Sequence, residues 1–187
     1  MEGRPLGDRT LVARARNGDK SAYAELVRAH QDMARRVAFL VLRNHSDVDD
    51  VVQEAFVKAH RGLGSFRESE SFRPWLLQIV RNQALNRRRS TDRYSRLSVR
   101  VAIDPASGDA APSPEVVVLA DERRATVLRA VEDLPARLRS VIECRYLLGL
   151  SESETATTLG IPAGTVKSRT RRGLDRLHED LGLEQGL

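Results

Sequence analysis

Apolar side chains recur at helical spacing along most of this chain, and no stretch alternates as a half-buried strand requires. Between residues 20 and 43, Ala22, Leu26, His30, Met33, Val37 and Leu40 fall on one stripe of a helix. His30 has no second metal ligand one turn away, so it reads as a packed or boundary histidine. Residues 47–60 carry the cleanest pattern. Val48, Val51, Val52, Ala55, Phe56 and Ala59 follow the i, i+3, i+4, i+7 series and predict a core face. Asp49, Asp50, Gln53, Glu54 and Val57 then point largely away from it. Residues 61–71, with two glycines and three serines, predict a loop. A third helix is expected from about Ser71, with Pro74 tolerated in its first turn, through Trp75, Leu76, Ile79 and Val80 into an arginine run.

Residues 101–114, VAIDPASGDAAPSP, break this periodicity with prolines and small residues and predict a flexible linker. Helical patterning resumes near Glu115. One helix is expected to about residue 132 and another, opened by Pro135, to about Leu148. Ser151 and Glu154 have the S-x-x-E spacing of a capping box, opening a short helix to about Leu159. Gly160-Ile161-Pro162 ends it, and a basic helix follows from about Ala163. A short helix, a tight turn with glycine and a second, basic helix form the helix-turn-helix plan. Ala156, Leu159, Ile161, Val166 and Leu174 are spaced for its small core. A plain helical hairpin shares that outline, and the basic second helix favours the DNA-binding form. The fold class predicted is all-α: two small helical domains on a flexible tether, the second a helix-turn-helix. The boundaries expected are 6–95, a linker at 96–114, and 115–182.

At 187 residues the chain has length for two such domains. One cysteine, Cys144, excludes an internal disulfide and a multi-cysteine zinc site. The N-terminal residues have no apolar run of the secretory kind, and no stretch approaches a membrane span. A cytoplasmic protein without membrane insertion is the expectation. The net charge of +5 changes the picture mainly through its placement. Arg81, Arg87, Arg88, Arg89, Arg93, Arg96 and Arg100 stand against Asp92 alone in residues 81–100. Lys167, Arg169, Arg171, Arg172 and Arg176 stand against Asp175 in 163–178. Two basic patches suit two contacts along one extended polyanion, although either alone also fits a solvated helix face.

Three runs taken together, DVDDVVQEAFVKAHR (47–61), FRPWLLQIVRNQALNRRRS (72–90) and LSESETATTLGIPAGTVKSRTRRGLDRL (150–177), resemble an extracytoplasmic-function sigma factor of bacterial RNA polymerase in order and spacing. The resemblance implies a first domain that binds polymerase and melts the −10 element, and a second that reads the −35 element. By that likeness Asp49, Asp50, Gln53 and Glu54 belong to a docking helix. Its implied partners are the coiled coil of the largest core subunit and, for the whole protein, the polymerase flap. Ser65, Phe66 and Arg67 match the loop that captures a non-template base, although Phe66 could equally pack against the helices. Asn82, Asn86, Arg87, Arg88 and Arg89 match the helix approaching the −10 element. Thr165, Lys167 and Arg169 match phosphate contacts, and Ser168, Arg171 and Arg172 match base-facing positions.

Two departures stand out: His60 sits where the family often has tryptophan, and Arg171 where some relatives have an apolar or aromatic residue. The resemblance further implies an anti-sigma factor as partner, no cofactor, no metal, no small-molecule substrate and no catalytic residue. The competing readings are a free-standing helix-turn-helix regulator with a sensor or dimerisation domain, and a nucleic-acid enzyme. The first needs a pocket or symmetric interface. The second needs a carboxylate cluster that converges, whereas Asp47, Asp49 and Asp50 diverge around one helix.

Overall fold

Asp19 opens the 23-residue second helix of the first domain. Its carboxylate accepts from the Ser21 and Ala22 amides at 2.9 and 3.1 Å and from Arg14 Nε at 2.9 Å. The helix it caps, α2 (Lys20–Leu42), follows α1 (Asp8–Arg16) and precedes α3 (Val48–Gly62) and α4 (Phe72–Ser98). The second domain holds α5 (Val118–Asp133), α6 (Ala136–Ile142), α7 (Glu152–Leu159) and α8 (Ala163–Asp180). This computed structural model describes residues 7–67, 71–98 and 118–182. Among them there is no strand, in keeping with the all-α expectation. No helix among them is long and apolar enough to cross a membrane.

The α3 pattern holds in full, since Val48, Val51, Val52, Ala55, Phe56 and Ala59 are all buried. The α2 stripe is shifted. Ala22, Leu26, His30, Ala34, Val37, Ala38 and Leu42 are buried, whereas Met33 and Leu40 only pack at the edge. Small alanines let α2 approach its neighbours closely, and the bulkier residues flank the seam. His30 is the satisfied core histidine expected: Nε2 lies 3.0 Å from Asp8 Oδ2, and the ring stands 5.4 Å from that of Phe72. The sequence reading had no helix at residues 8–16, yet α1 buries Leu11, Val12 and Ala15. The expected loop after α3 starts later than predicted, because the helix runs to Gly62 and a 3-10 turn follows at Leu63–Ser65.

In the second domain, α6 does not continue as an α-helix to Leu148. It passes into a π-helical turn at Glu143–Leu147, which leaves Tyr146 and Leu147 exposed. A small cluster of Val131, Leu134, Ile142 and Leu177 ties α5, α6 and α8 together. Gly173 of α8 lies hard against α6, where a Cβ would come within 2.8 Å of Ile142 Cγ1.

The two domains are not held apart. Val141, Cys144, Leu148, Leu150, Leu159 and Val166 belong to the same apolar core as Leu76, Leu77, Val80 and Ala84 of α4. The division into two helical domains stands, and the apolar faces that α4 and the α6–α7 connection would otherwise show to water are buried in each other. The linker expected at 101–114 lies outside the described residues, and α4 itself continues past the expected boundary at 95.

Candidate nucleic-acid interface

The helix-turn-helix forms as its local signals dictate. Ser151 Oγ accepts from the Glu154 amide at 3.2 Å, and Glu154 returns a carboxylate oxygen to the Ser151 amide at 2.8 Å. Gly160 ends α7 in the left-handed region at φ 66°, where a glycine adds no Cβ strain. Pro162 then precedes α8 without forfeiting a helical hydrogen bond.

Val166, Gly173 and Leu177 turn one face of α8 inward. With about 3.6 residues per turn, Ser168, Arg171 and Arg172 fall on the opposite face, and Thr165, Lys167 and Arg169 lie to its two sides. Lys167, Ser168, Arg171 and Arg172 are exposed, while Thr165 and Arg169 are half-buried. A central exposed strip flanked by further polar side chains is the arrangement that groove entry needs. Arg172 also lines a cleft between α5 and α8 with Asp133, Asp175 and Arg176.

Along α4, Asn82, Asn86, Arg88 and Arg89 are exposed and Arg87 is half-buried. Not all the arginines stand free. Arg87 reaches Asp47 at 3.6 Å and Asp50 at 3.4 Å, and Arg88 donates to the Val41 carbonyl at 3.0 Å. Burial lowers the pKa of Arg81 from the usual arginine value. In the turn after α3, Ser65 and Arg67 are exposed, with Ser65 Oγ donating to the Gly62 carbonyl at 2.9 Å. Phe66 takes the packed one of its two expected alternatives. It is 6% exposed, with its ring 4.9 Å from Trp75 and 6.0 Å from Phe72, so it anchors the loop from beneath.

The polar face of α3 is intact and already laced to its neighbours. Asp49 pairs with Arg35 at 2.9 Å, and Glu54 accepts from Gln83 at 3.2 Å, whose carbonyl takes a bond from Lys58 at 2.6 Å. Gln53 is exposed. Beside this face runs an open groove of about 590 Å³ between α2 and α3. Tyr23, Val27, Val52, Phe56 and Val57 supply its apolar lining, with Asp49 and Gln53 among its polar members. Sequence reasoning did not find the groove. Its one signal was Val57, an apolar residue among the polar positions of α3, and it is 45% exposed. His60 fits this end of the helix edge-on to Tyr23 at 4.7 Å, while the Tyr23 hydroxyl donates to the Phe56 carbonyl at 2.5 Å.

Two family models match the chain, Sigma-70 region 2 over residues 26–94 and Sigma-70 region 4 over residues 124–177. The ECF RNA polymerase sigma-E factor of Escherichia coli is 41% identical over 92% of this chain and 93% of its own length. Among solved structures, CnrH in complex with the cytosolic domain of CnrY aligns with a TM-score of 0.66 and 28% identity, over 95% of this chain and 99% of that one. The sigma factor RpoE of Bartonella quintana, in complex with the anti-sigma factor NepR, shares the fold at a TM-score of 0.65 and 24% identity, over 87% and 98%.

Proposed function

The chain belongs to the extracytoplasmic-function sigma factors of bacterial RNA polymerase, and from that premise we propose how its surfaces divide the work. As a sigma factor it binds core RNA polymerase and directs initiation at promoters by recognising −35 and −10 elements. The α3 face with Asp49, Asp50, Gln53 and Glu54, together with the groove floored by Phe56 and Val57, docks the core. An apolar seat rimmed by acids and an amide suits a partner helix with basic side chains beside apolar ones. Asn82, Asn86, Arg87, Arg88 and Arg89 face the −10 region, with Ser65 and Arg67 at the rim of the loop that Phe66 anchors. On α8, Ser168, Arg171 and Arg172 read base edges in the −35 element, while Thr165, Lys167 and Arg169 hold the flanking phosphates.

One observation carries this reading above the others. In α8 Ser168, Arg171 and Arg172 lie opposite the buried Val166, Gly173 and Leu177, with Lys167 and Arg169 at the flanks, on a helix fixed by a capped α7. The domain bounds proposed are 6–95 and 115–182, with a linker between them. The chain itself contributes no catalytic group and works in the cytoplasm, where the polymerase is. An anti-sigma factor is a further proposed partner, as NepR is for the RpoE of Bartonella quintana.

Run-off transcription tests the proposal. Purified chain and core polymerase are incubated on a library of promoter fragments, and start sites are mapped. The expected outcome is initiation at a shared pair of elements only when both components are present. Transcripts from core alone at the same sites, or starts with no common upstream sequence, would overturn it.

A further inference from the structure

We propose that α1 is a strut for the −10 contact: Arg16, through its bond to the Gly64 carbonyl, sets the turn from which Ser65 and Arg67 meet the single strand. The inference rests on the reading that Ser65 and Arg67 face the −10 region. It adds to that surface a positioning residue that touches no DNA itself.

The turn is built from residues that hold a shape poorly. Gly62 and Gly64 flank Leu63 in it, and glycine loses more conformational freedom on ordering than any other residue. Two local bonds close it: Ser65 Oγ donates to the Gly62 carbonyl at 2.9 Å, and the Phe66 amide to the Leu63 carbonyl at 3.2 Å. Beneath it lie apolar side chains. Leu63 is buried, Phe66 packs on Trp75 and Phe72, and a Cβ at Gly62 would come 3.3 Å from Trp75 Cζ2.

The outer side is held from 48 residues away in the sequence. Arg16, the last residue of α1, donates from Nη2 to the Gly64 carbonyl at 3.3 Å, and α1 packs directly on the 3-10 turn. A carbonyl oxygen lies in the plane of its peptide, so this bond fixes the plane that also carries the Ser65 amide. Ser65 and Arg67, both exposed, leave the chain just beyond that plane.

A strut works only if it is fixed at both ends. Leu11, Val12 and Ala15 bury the inner face of α1, and Arg14 pairs with Asp19 at 2.8 Å near its C-terminal end. At its start, Asp8 Oδ2 lies 3.0 Å from His30 Nε2. The His30 ring stands 5.4 Å from Phe72, which is itself 6.0 Å from Phe66. Both ends of this nine-residue helix, about 13 Å long, therefore return to one turn: Arg16 directly, and Asp8 through His30, Phe72 and Phe66. Taking a base out of the stack costs free energy before any contact repays it. A turn already in place thus binds more tightly than one that must first order.

The test uses the full chain assembled with core polymerase. Its probe is the −10 single strand of a promoter recovered by start-site mapping. Arg16→Met keeps a long side chain and removes the donors, and Arg16→Lys restores a cationic donor. Because Arg16 is exposed, neither substitution opens the core. Arg16→Met should bind the strand about fivefold to tenfold more weakly, with affinity for core and for the −35 duplex unchanged, and Arg16→Lys should recover most of the loss. The slope of log affinity against log salt should stay where it is. A slope lower by about 0.7 would make Arg16 a direct phosphate contact and overturn the strut. An equal loss on the −35 duplex, no loss on the −10 strand, or an Arg16→Lys protein as weak as Arg16→Met would each overturn it too.

A measurement without DNA separates the strut from the reading beneath it. In the free chain the Ser65 amide should show the order parameter of rigid backbone, about 0.85, and fall below about 0.6 in Arg16→Met. An unchanged order parameter overturns the strut whatever the strand does. If Ser65 loosens while Arg67→Met leaves −10 affinity untouched, the strut stands and the assignment of the turn to DNA falls.

Discussion

Replacing Gly173 by alanine tests whether α6 and α8 are as close as their backbones require. The new Cβ would stand 2.8 Å from Ile142 Cγ1, 3.0 Å from its Cδ1 and 3.9 Å from Leu138 Cβ. Carbon atoms settle near 3.5–4.0 Å, so α8 or Ile142 must yield by at least about 0.7 Å. Ile142 is 2% exposed and β-branched, with little rotamer freedom to retreat. Forcing a methyl into such a core costs about 1–3 kcal/mol. Alanine in a helix interior returns about 0.5–1 kcal/mol over glycine. The net expectation is a loss of about 1 kcal/mol, reaching about 2 where the helices cannot part. Urea unfolding followed by circular dichroism reads the change, and −35 duplex affinity reads the displaced helix. Ile142→Ala removes both clashing atoms. Its own cost, about 2–5 kcal/mol in the wild type, should fall by about 1 kcal/mol or more in the alanine background. A Gly173→Ala protein as stable as wild type, with strictly additive costs, would refute the close approach.

Four further outcomes follow from the surfaces and caps. Asp50→Arg should weaken binding to core polymerase several-fold while helicity is kept, and unchanged affinity in a pull-down titration would remove Asp50 from the docking face. Arg172→Ala should cost about 1–3 kcal/mol on the preferred −35 sequence and less on one altered at the contacted pair. Lys167→Ala should weaken all sequences alike and lower the slope of log affinity against log salt by about 0.9, so uniform losses for both variants would make α8 a phosphate clamp only. Asp19 is held down to about 2, first by its bond from Ser21, then by the Ala22 amide and Arg14. A depressed carboxylate stabilises above its ordinary value of 3.8 and loses that contribution as pH falls through about 2, so the Ser21 and Ala22 amide resonances should titrate there and not near 4.

The parts legible in the sequence are those whose signal is local. The apolar series on α3, the Ser151–Glu154 box and the break at Gly160-Ile161-Pro162 each act within a few residues, and each formed where expected. The placement of Ser168, Arg171 and Arg172 away from the core follows from the same periodicity. What escaped has its cause elsewhere in the chain. The helix α1 buries only Leu11, Val12 and Ala15 in a charged stretch, and α2 and the turn after α3 complete its environment. Ala34 and Ala38 replaced Met33 and Leu40 in the seam because interhelical distance selects small residues, which a hydrophobicity pattern undervalues. Leu76 and Val80 belong by pattern to the first domain and Leu159 and Val166 to the second, yet all four share one core. Nothing in a one-dimensional pattern distinguishes a residue buried by its own domain from one buried by the other.

The π-helical turn at Glu143–Leu147 has a consequence for insertions and deletions. A π turn carries one residue more than an α turn over nearly the same rise. The turn therefore absorbs its extra residue locally, and the chain leaves α6 in nearly the phase a regular α-helix would give. Deleting one residue from 143–147 would let a regular α-helix run on with no residue lost from α7 or α8. The chain beyond it would turn far less than the roughly 100° that a deletion inside a regular helix imposes. A single-codon deletion is therefore better tolerated in this turn than within α6 or α8, where it would carry Gly173 away from Ile142.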